Sequence, residues 1–266
     1  MKKICLYLFL LIIICIAIPI ICTKKFKTKD IFSEVKKEEE TIKNYDYSHI
    51  NKIKLLHSKT NEVEEVALDE YICNVIAAEM PVNFELEALK AQAVVARTYT
   101  IFKLSKNISK HENADICDSS NCCQAWISKE DRFTKWNKEE AEDNWNKIVK
   151  AVNETIGQII TYNGEAINAV FHSNSGGKTE IASNVWSGGD YPYFKSVETS
   201  GEDTYTQYKS EVTLSKEQLK EKILMKYKEF SINYDDEDAI KILEYTDSGR
   251  VKTIKIGNKN LSRSRS

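Results

Sequence analysis

The sequence predicts an α+β protein, a helical lobe packed against an antiparallel β-rich lobe and preceded by one N-terminal transmembrane helix. Three observations carry this. Apolar residues recur at helical spacing between Leu68 and Leu104 and again between Trp145 and Ile156. An Asn163-Gly164 pair separates two apolar-rich runs, the strongest short hairpin signal. Further strand-like runs at 193–198, 240–245 and 251–256 follow the helical stretches, and segregation of helices from strands marks the class. The 266 residues carry a net charge of −2, which excludes a nucleic-acid binder driven by a basic field.

The first element is "ICLYLFLLIIICIAIPIIC", residues 4–22, without a single charge. As a helix it spans about 28 Å, close to the ~30 Å of a bilayer core. No small-residue cleavage site ends it, and Ile21 is too bulky for a lipid-modified Cys22, so residues 1–22 read as an uncleaved anchor. Lysines flank it on both sides and do not orient it. Residues 23–49, with "KKEEE" at 36–40, read as a charged stalk, and the globular body runs from residue 50 to residue 266.

Within the body, residues 50–67 read as two short strands around "SKTN". A helix follows from Leu68, its buried face marked by Leu68, Ile72, Val75 and Ile76, and Pro81 ends it. A second helix opens after Asn83 as N-cap and runs through "LEALKAQAVVARTYTIFKL". Residues 105–130 read as loop, 138–156 as a helix stopped by Gly157, and Ser215 with Gln218 as the capping box of a last helix.

Glu79 falls on the same face as Ile72, Val75 and Ile76. Burial and the partial negative charge of a helix C-terminus both disfavour an ionised carboxylate there. A carboxyl group that keeps its proton at neutral pH is what a general acid needs. The competing reading is an ordinary helix-end acid turned to solvent or paired with Arg97. No second acid stands out among apolar neighbours in the same way.

Two other constellations stand out. "HSNSGG", residues 172–177, sits where a strand gives way to a loop. Gly176 and Gly177 would let backbone approach a ligand closely, while His172, Ser173 and Ser175 supply hydrogen bonds. His111, Cys117 and Cys123 are spaced six residues apart and are good zinc ligands that leave a fourth place open. A Cys117–Cys122 disulfide competes with this reading. Cys73, on the first apolar helix, reads as a packing residue.

"LDEYICNVIAAEMP" followed by "EALKAQAVVARTYTIF" resembles the signature of the stage II sporulation protein D family. "CDSSNCCQAW", "FHSNSGGKTE" and "VWSGGDYPYFKSV" resemble it too, so the likeness covers most of the body. The resemblance implies a membrane-anchored, extracytoplasmic lytic transglycosylase that cleaves peptidoglycan glycan strands, with Glu79 as the catalytic acid. One carboxylate suffices for that chemistry, whereas ordinary glycosidases use two. It further implies zinc near the cleft, not required for proton transfer, and sugar contacts from His172, Ser173, Ser175, Gly176 and Gly177. Tyr191 and Tyr193 are candidates to stack on sugars or to serve as packing residues, and Gln92 and Arg97 to orient Glu79 or brace its loop. The implied partners are the glycan, the membrane, and stage II sporulation proteins P (an amidase) and M (a membrane protein). Relative to the family's pattern the chain looks shortened after "LSR", with Arg263 where a glycine is expected. A non-catalytic glycan-binding scaffold and a hydrolytic muramidase are the alternative functions.

Overall fold

The computed structural model describes residues 46–186, 191–204 and 208–262. The expected anchor, nearly all of the stalk and Arg263 lie outside them. Among the described residues no helix is long and apolar enough to cross a membrane. The chain divides into two units, Met1–Ala169 and Val170–Ser266.

In the first unit β1 (Lys52–His57) and β2 (Glu62–Ala67) pair antiparallel, placing Ile53 opposite Val66. Ile53, Leu55 and Val66 are buried, so the alternation of β1 points one face inward. A third strand, β3 (Ile116–Cys117), pairs parallel with β1 inside the stretch expected to be loop. Two residues are too short for a period to show in sequence, and it is the burial of Ile116 beside β1 that creates this strand.

Helix α1 (Leu68–Glu79) buries Leu68, Ile72, Val75 and Ile76 as expected. Met80 is extended, at φ −116° and ψ 137°, the conformation a following proline imposes. Helix α2 (Leu86–Ser105) begins later than expected, with Glu85 rather than Asn83 at its N-cap and no side-chain cap. Asn83 instead lies within a turn closed by the Phe84 N–H donating to the Pro81 carbonyl, 3.1 Å. Helix α3 (Lys129–Phe133) is capped by Ser128, and α4 (Ala141–Asn153) buries Trp145, Ile148 and Val152. The helix expected over 138–156 is shorter at both ends, and Ile156 lies beyond it, exposed. Helices α1, α2 and α4 pack on one another. The hairpin of β4 (Thr161–Tyr162) and β5 (Glu165–Ala166) turns on Asn163 and Gly164, both at positive φ (52° and 81°) as a type I′ turn requires.

The second unit holds α5 (Lys216–Leu224), which carries the expected Ser215–Gln218 capping box. Its sheet is β6 (Ile240–Tyr245), β7 (Val251–Ile256) and β8 (Lys259–Ser262), antiparallel in that order. The strand expected at 193–198 does not form; only a Lys178–Glu198 bridge does. The aromatic side chains there pack on each other instead, Tyr193 edge-on to Phe194 at 4.9 Å. The class is α+β, as the sequence predicts.

Candidate active site

Glu79 is the last residue of α1. Ile72, Val75 and Ile76 on the preceding turns are fully buried, whereas Glu79 is half-buried, because the helix stops there. Glu79 thus lies between the two readings, partly covered on the buried face, and the covering element reaches only one carboxylate oxygen. Oε1 accepts the Ala125 N–H at 2.8 Å, and Oε2 has no hydrogen-bond partner among the described residues.

Ala125 belongs to a strip, residues 124–128, fastened to the helices on both sides of the contact. The buried Gln124 donates through Nε2 to the Tyr71 hydroxyl of α1 (3.2 Å) and to Thr100 Oγ1 of α2 (3.1 Å). Asn74 Nδ2 donates to the Ile127 carbonyl at 2.8 Å. The turn after Pro81 is pinned in turn by Lys147 Nζ, which donates to the Val82 and Phe84 carbonyls at 3.0 and 2.7 Å. Nothing periodic in the sequence marks Gln124 or Lys147. Their roles arise from contacts 53 and 63 to 65 residues away along the chain.

Arg97 does not orient Glu79. It is fully buried, and its guanidinium donates to the carbonyls of Thr155 (2.8 Å), Val152 (3.3 Å) and Gln158 (3.4 Å) and to Asp69 Oδ1 (3.3 Å). Val152 lies in the last turn of α4 and Thr155 and Gln158 in the turn beyond it, so the guanidinium ties the helix end to the following chain and places a cation beside the helix's partial negative pole. Gln92 makes no hydrogen bond to Glu79, and its Nε2 is buried without a partner among the described residues.

The strip continues directly from a cluster of soft ligands. The donor atoms of His111, Cys117, Cys122 and Cys123 all lie within 4.8 Å of one another. His111 Nε2 is 3.6 Å from Cys122 Sγ and 3.7 Å from Cys123 Sγ, and the two sulfurs are 3.8 Å apart. A tetrahedral zinc with Zn–S of about 2.3 Å and Zn–N of about 2.0–2.1 Å requires S···S near 3.8 Å and S···N near 3.6 Å. The residues therefore fit the ion. Cys122 Sγ stands close enough to the other three donor atoms to complete a four-ligand set, which the six-residue spacing of the other three passes over. Its sequence signal is the adjacent cysteine pair, folded back by the Cys122 and Cys123 N–H groups donating to the Ser119 carbonyl. All four described cysteines are free thiols, so the Cys117–Cys122 disulfide is not formed. Burial pushes the Cys123 thiol up to about 12, and a bound cation would reverse that by stabilising the thiolate. Burial likewise pushes the Cys73 thiol up to about 12, in keeping with a packing role.

"HSNSGG" lies in the second unit, and its polar groups turn inward. The Ser175 N–H donates to Glu202 Oε1 and the Gly177 N–H to Oε2, both at 2.8 Å, while Ser175 Oγ reaches Oε2 at 2.9 Å. These donors, the Gly177 and Ser175 N–H groups foremost, hold the Glu202 carboxylate down to about 2. Gly176 N–H is taken by Asn174 Oδ1 at 2.8 Å. The Ser175 and Gly177 N–H groups are thus taken by the protein's own Glu202 carboxylate, and the Gly176 N–H by the Asn174 side chain. Positive φ at Gly176 (69°) and Gly177 (93°) makes the turn that brings the Ser175 and Gly177 N–H groups onto one carboxylate. His172 and Ser173 stay exposed, and His172 lines a cavity of about 480 Å³ with Phe171, Trp186, Tyr193 and Phe194. The Tyr191 and Tyr193 rings stack at 5.2 Å.

A second carboxylate anchors the sheet of this unit. Glu180 accepts from Thr246 and Ser248 in the β6–β7 turn and from Asn184. Burial works to raise it, but the Ser248, Asn184 and Thr246 donors outweigh this and bring it down to about 2.

A family profile described as "Stage II sporulation protein" matches residues 56–162, which span α1, α2, the cysteine cluster and the Ala125 strip. Stage II sporulation protein D of Bacillus amyloliquefaciens is 33% identical over 198 residues, 74% of this chain and 56% of its own length. Stage II sporulation protein D of Bacillus subtilis (strain 168) is 32% identical over 211 residues, 79% of this chain and 59% of its own length. The amidase enhancer of Bacillus subtilis (strain 168) is 35% identical over 150 residues, 56% of this chain and 18% of its own length. The chain spans a little over half the length of the first two relatives. With the helix-end glutamate, its bracing strip and the cysteine cluster all inside the matched stretch or directly beside it, the chain belongs to the stage II sporulation protein D family.

Proposed function

We propose that this protein remodels the cell wall during sporulation, as a lytic transglycosylase acting on the glycan strands of peptidoglycan. The observation that carries this is the placement of Glu79: one oxygen held by a backbone N–H, the other unpartnered, at the end of a rigid helix. In the proposed reaction protonated Glu79 gives its proton to the oxygen bridging N-acetylmuramic acid to N-acetylglucosamine. The bond from that oxygen to the muramyl C1 breaks. The Glu79 carboxylate then takes the proton of the muramyl C6 hydroxyl, and O6 bonds to C1, leaving a 1,6-anhydro end. Because the sugar supplies the nucleophile, no second carboxylate is needed, unlike in the two-carboxylate glycosidases. The Ala125 N–H fixes the acid's orientation through both proton transfers.

Zinc, if bound, is held by His111, Cys117, Cys122 and Cys123, and a closed four-ligand shell supplies rigidity rather than an open coordination site. That rigidity acts two residues from Ala125. In this reading residues 1–22 anchor the chain in the cell membrane with the body outside the cytoplasm, and relatives named as a sporulation protein and an amidase enhancer support a sporulation cell-wall setting. Sporulation proteins P and M are the partners this reading assigns.

The test is mass spectrometry of the products from peptide-stripped glycan strands. Anhydro ends from the parent and none from Glu79→Gln support the reading. Reducing ends make the protein a muramidase, and no cleavage makes it a glycan-binding scaffold.

A further inference from the structure

Lys103, on α2, is the one lysine buried among the described residues, at 8% exposure. Lysines are rarely buried without a partner of opposite charge. Lys52, Lys90, Lys106 and Lys129 of the same unit each meet a carboxylate and are each more exposed. Lys103 makes no ion pair or hydrogen bond among the described residues; its ammonium stands over the Tyr99 ring, 5.7 Å from the centroid. Its counter-charge lies elsewhere.

The cysteine cluster borders this turn of α2. Burial pushes the Tyr99 hydroxyl up, and negative charge on Cys123, Cys122 and Cys117 pushes it further. Thr100 accepts from Gln124 Nε2 at 3.1 Å, and Gln124 follows Cys123 in the chain. Lys103 also lines a hollow of about 110 Å³ with Leu104, Asn107, Ser109 and Asp115. Ser109 Oγ accepts the His111 N–H at 3.1 Å, and Asp115 stands two residues before Cys117. The hollow is thus walled by the chain that leads into two of the four ligands. Charge counting gives the lysine a task. A divalent ion held by three thiolates and a neutral imidazole carries one net negative charge. Cys117 is buried and the other three ligands are half-buried, so that charge is poorly screened by water and salt. Asp115 is the competing counter-charge, but its Oδ2 accepts the Lys54 N–H at 2.7 Å and it forms no ion pair with Lys103 across the hollow.

We propose that Lys103 is the counter-charge of the metal centre. Its ammonium offsets the net negative charge of zinc held by His111, Cys117, Cys122 and Cys123, and so sets how tightly the cluster keeps the ion. It acts by charge, not by coordination. The proposal rests on the four-ligand reading of the cluster and is independent of the glycan reading of Glu79.

The test measures Zn²⁺ affinity of the full chain under reducing conditions, by competition with a chromophoric chelator. Lys103→Met keeps the buried stem and is expected to weaken Zn²⁺ binding about tenfold, the scale of residues that act behind metal ligands. Lys103→Arg keeps the charge and is expected to hold Zn²⁺ more tightly than Lys103→Met does. Co²⁺ bound to Lys103→Met should show the parent's tetrahedral thiolate bands, because the ligands are unchanged. Thermal melts confirm that each variant is folded. Equal affinity in Lys103→Met and the parent overturns the proposal; if the metal-free variant also melts below the metal-free parent, the ammonium answers Asp115 instead. Altered Co²⁺ bands, or an equal loss in Lys103→Arg, would mean that Lys103 holds a ligand in place rather than balancing charge, and the proposal falls. A parent that binds no Zn²⁺ removes the four-ligand reading and this proposal together, and leaves the glycan reading to its own assay.

Discussion

Replacing Arg97 by methionine separates a brace from a catalytic partner. Methionine keeps much of the buried stem's packing and removes the guanidinium, so the loss is one of hydrogen bonds. The 2.8 Å bond to the Thr155 carbonyl is charge-assisted and buried, worth about 1.5–3 kcal/mol. The Val152 and Gln158 carbonyls, at 3.3 and 3.4 Å, sit at the edge of bonding distance and together add about 1 kcal/mol. Asp69 is 45% exposed and regains water, so that pair contributes less than about 1 kcal/mol. The sum, about 2.5–5 kcal/mol, overlaps the range for breaking a buried charged network. For a unit of this size that is a fall in Tm of about 10–20 °C. Urea and thermal melts followed by tryptophan fluorescence read it directly, since Trp126, Trp136 and Trp145 all lie in the first unit. A loss below about 1 kcal/mol, with cleavage abolished in a still-folded protein, would show that Arg97 serves the chemistry and that the bracing argument is wrong.

Two further outcomes are expected. Purified protein should hold one Zn²⁺ per chain, and Co²⁺ in its place should show the spectrum of a tetrahedral thiolate site; Cys122→Ser should weaken both, and an unchanged spectrum would mean that only three protein ligands are used. The second unit should lose stability in acid. Glu202 and Glu180 are depressed from 4.5 to about 2, so the unfolded chain binds more protons between those values. Their contribution is then full above pH 4.5 and disappears as pH falls toward 2. Hydrogen exchange of residues 174–180 across that window should show the loss, and Glu202→Gln should flatten it; an equally steep profile in the variant would refute the assignment.

The sequence by itself determined the elements whose signals are local. The Ile72–Val75–Ile76 stripe, the proline that stops α1, the Asn163-Gly164 turn and the Ser215–Gln218 box each need only a few neighbouring residues, and each is found where the pattern puts it. Glu79 was legible for the same reason, as a charge at the end of an apolar face. Tertiary structure decided whatever depends on residues far apart in the chain. Which oxygen of Glu79 is held depends on Ala125, 46 positions away, and whether Arg97 serves catalysis or packing depends on where α4 ends. The inward turn of the NSGG loop depends on Glu202, 25 to 27 positions on, whose short polar stretch has no period to betray it. A side chain's type and spacing reveal what it can do, but only packing reveals which partner reaches it first.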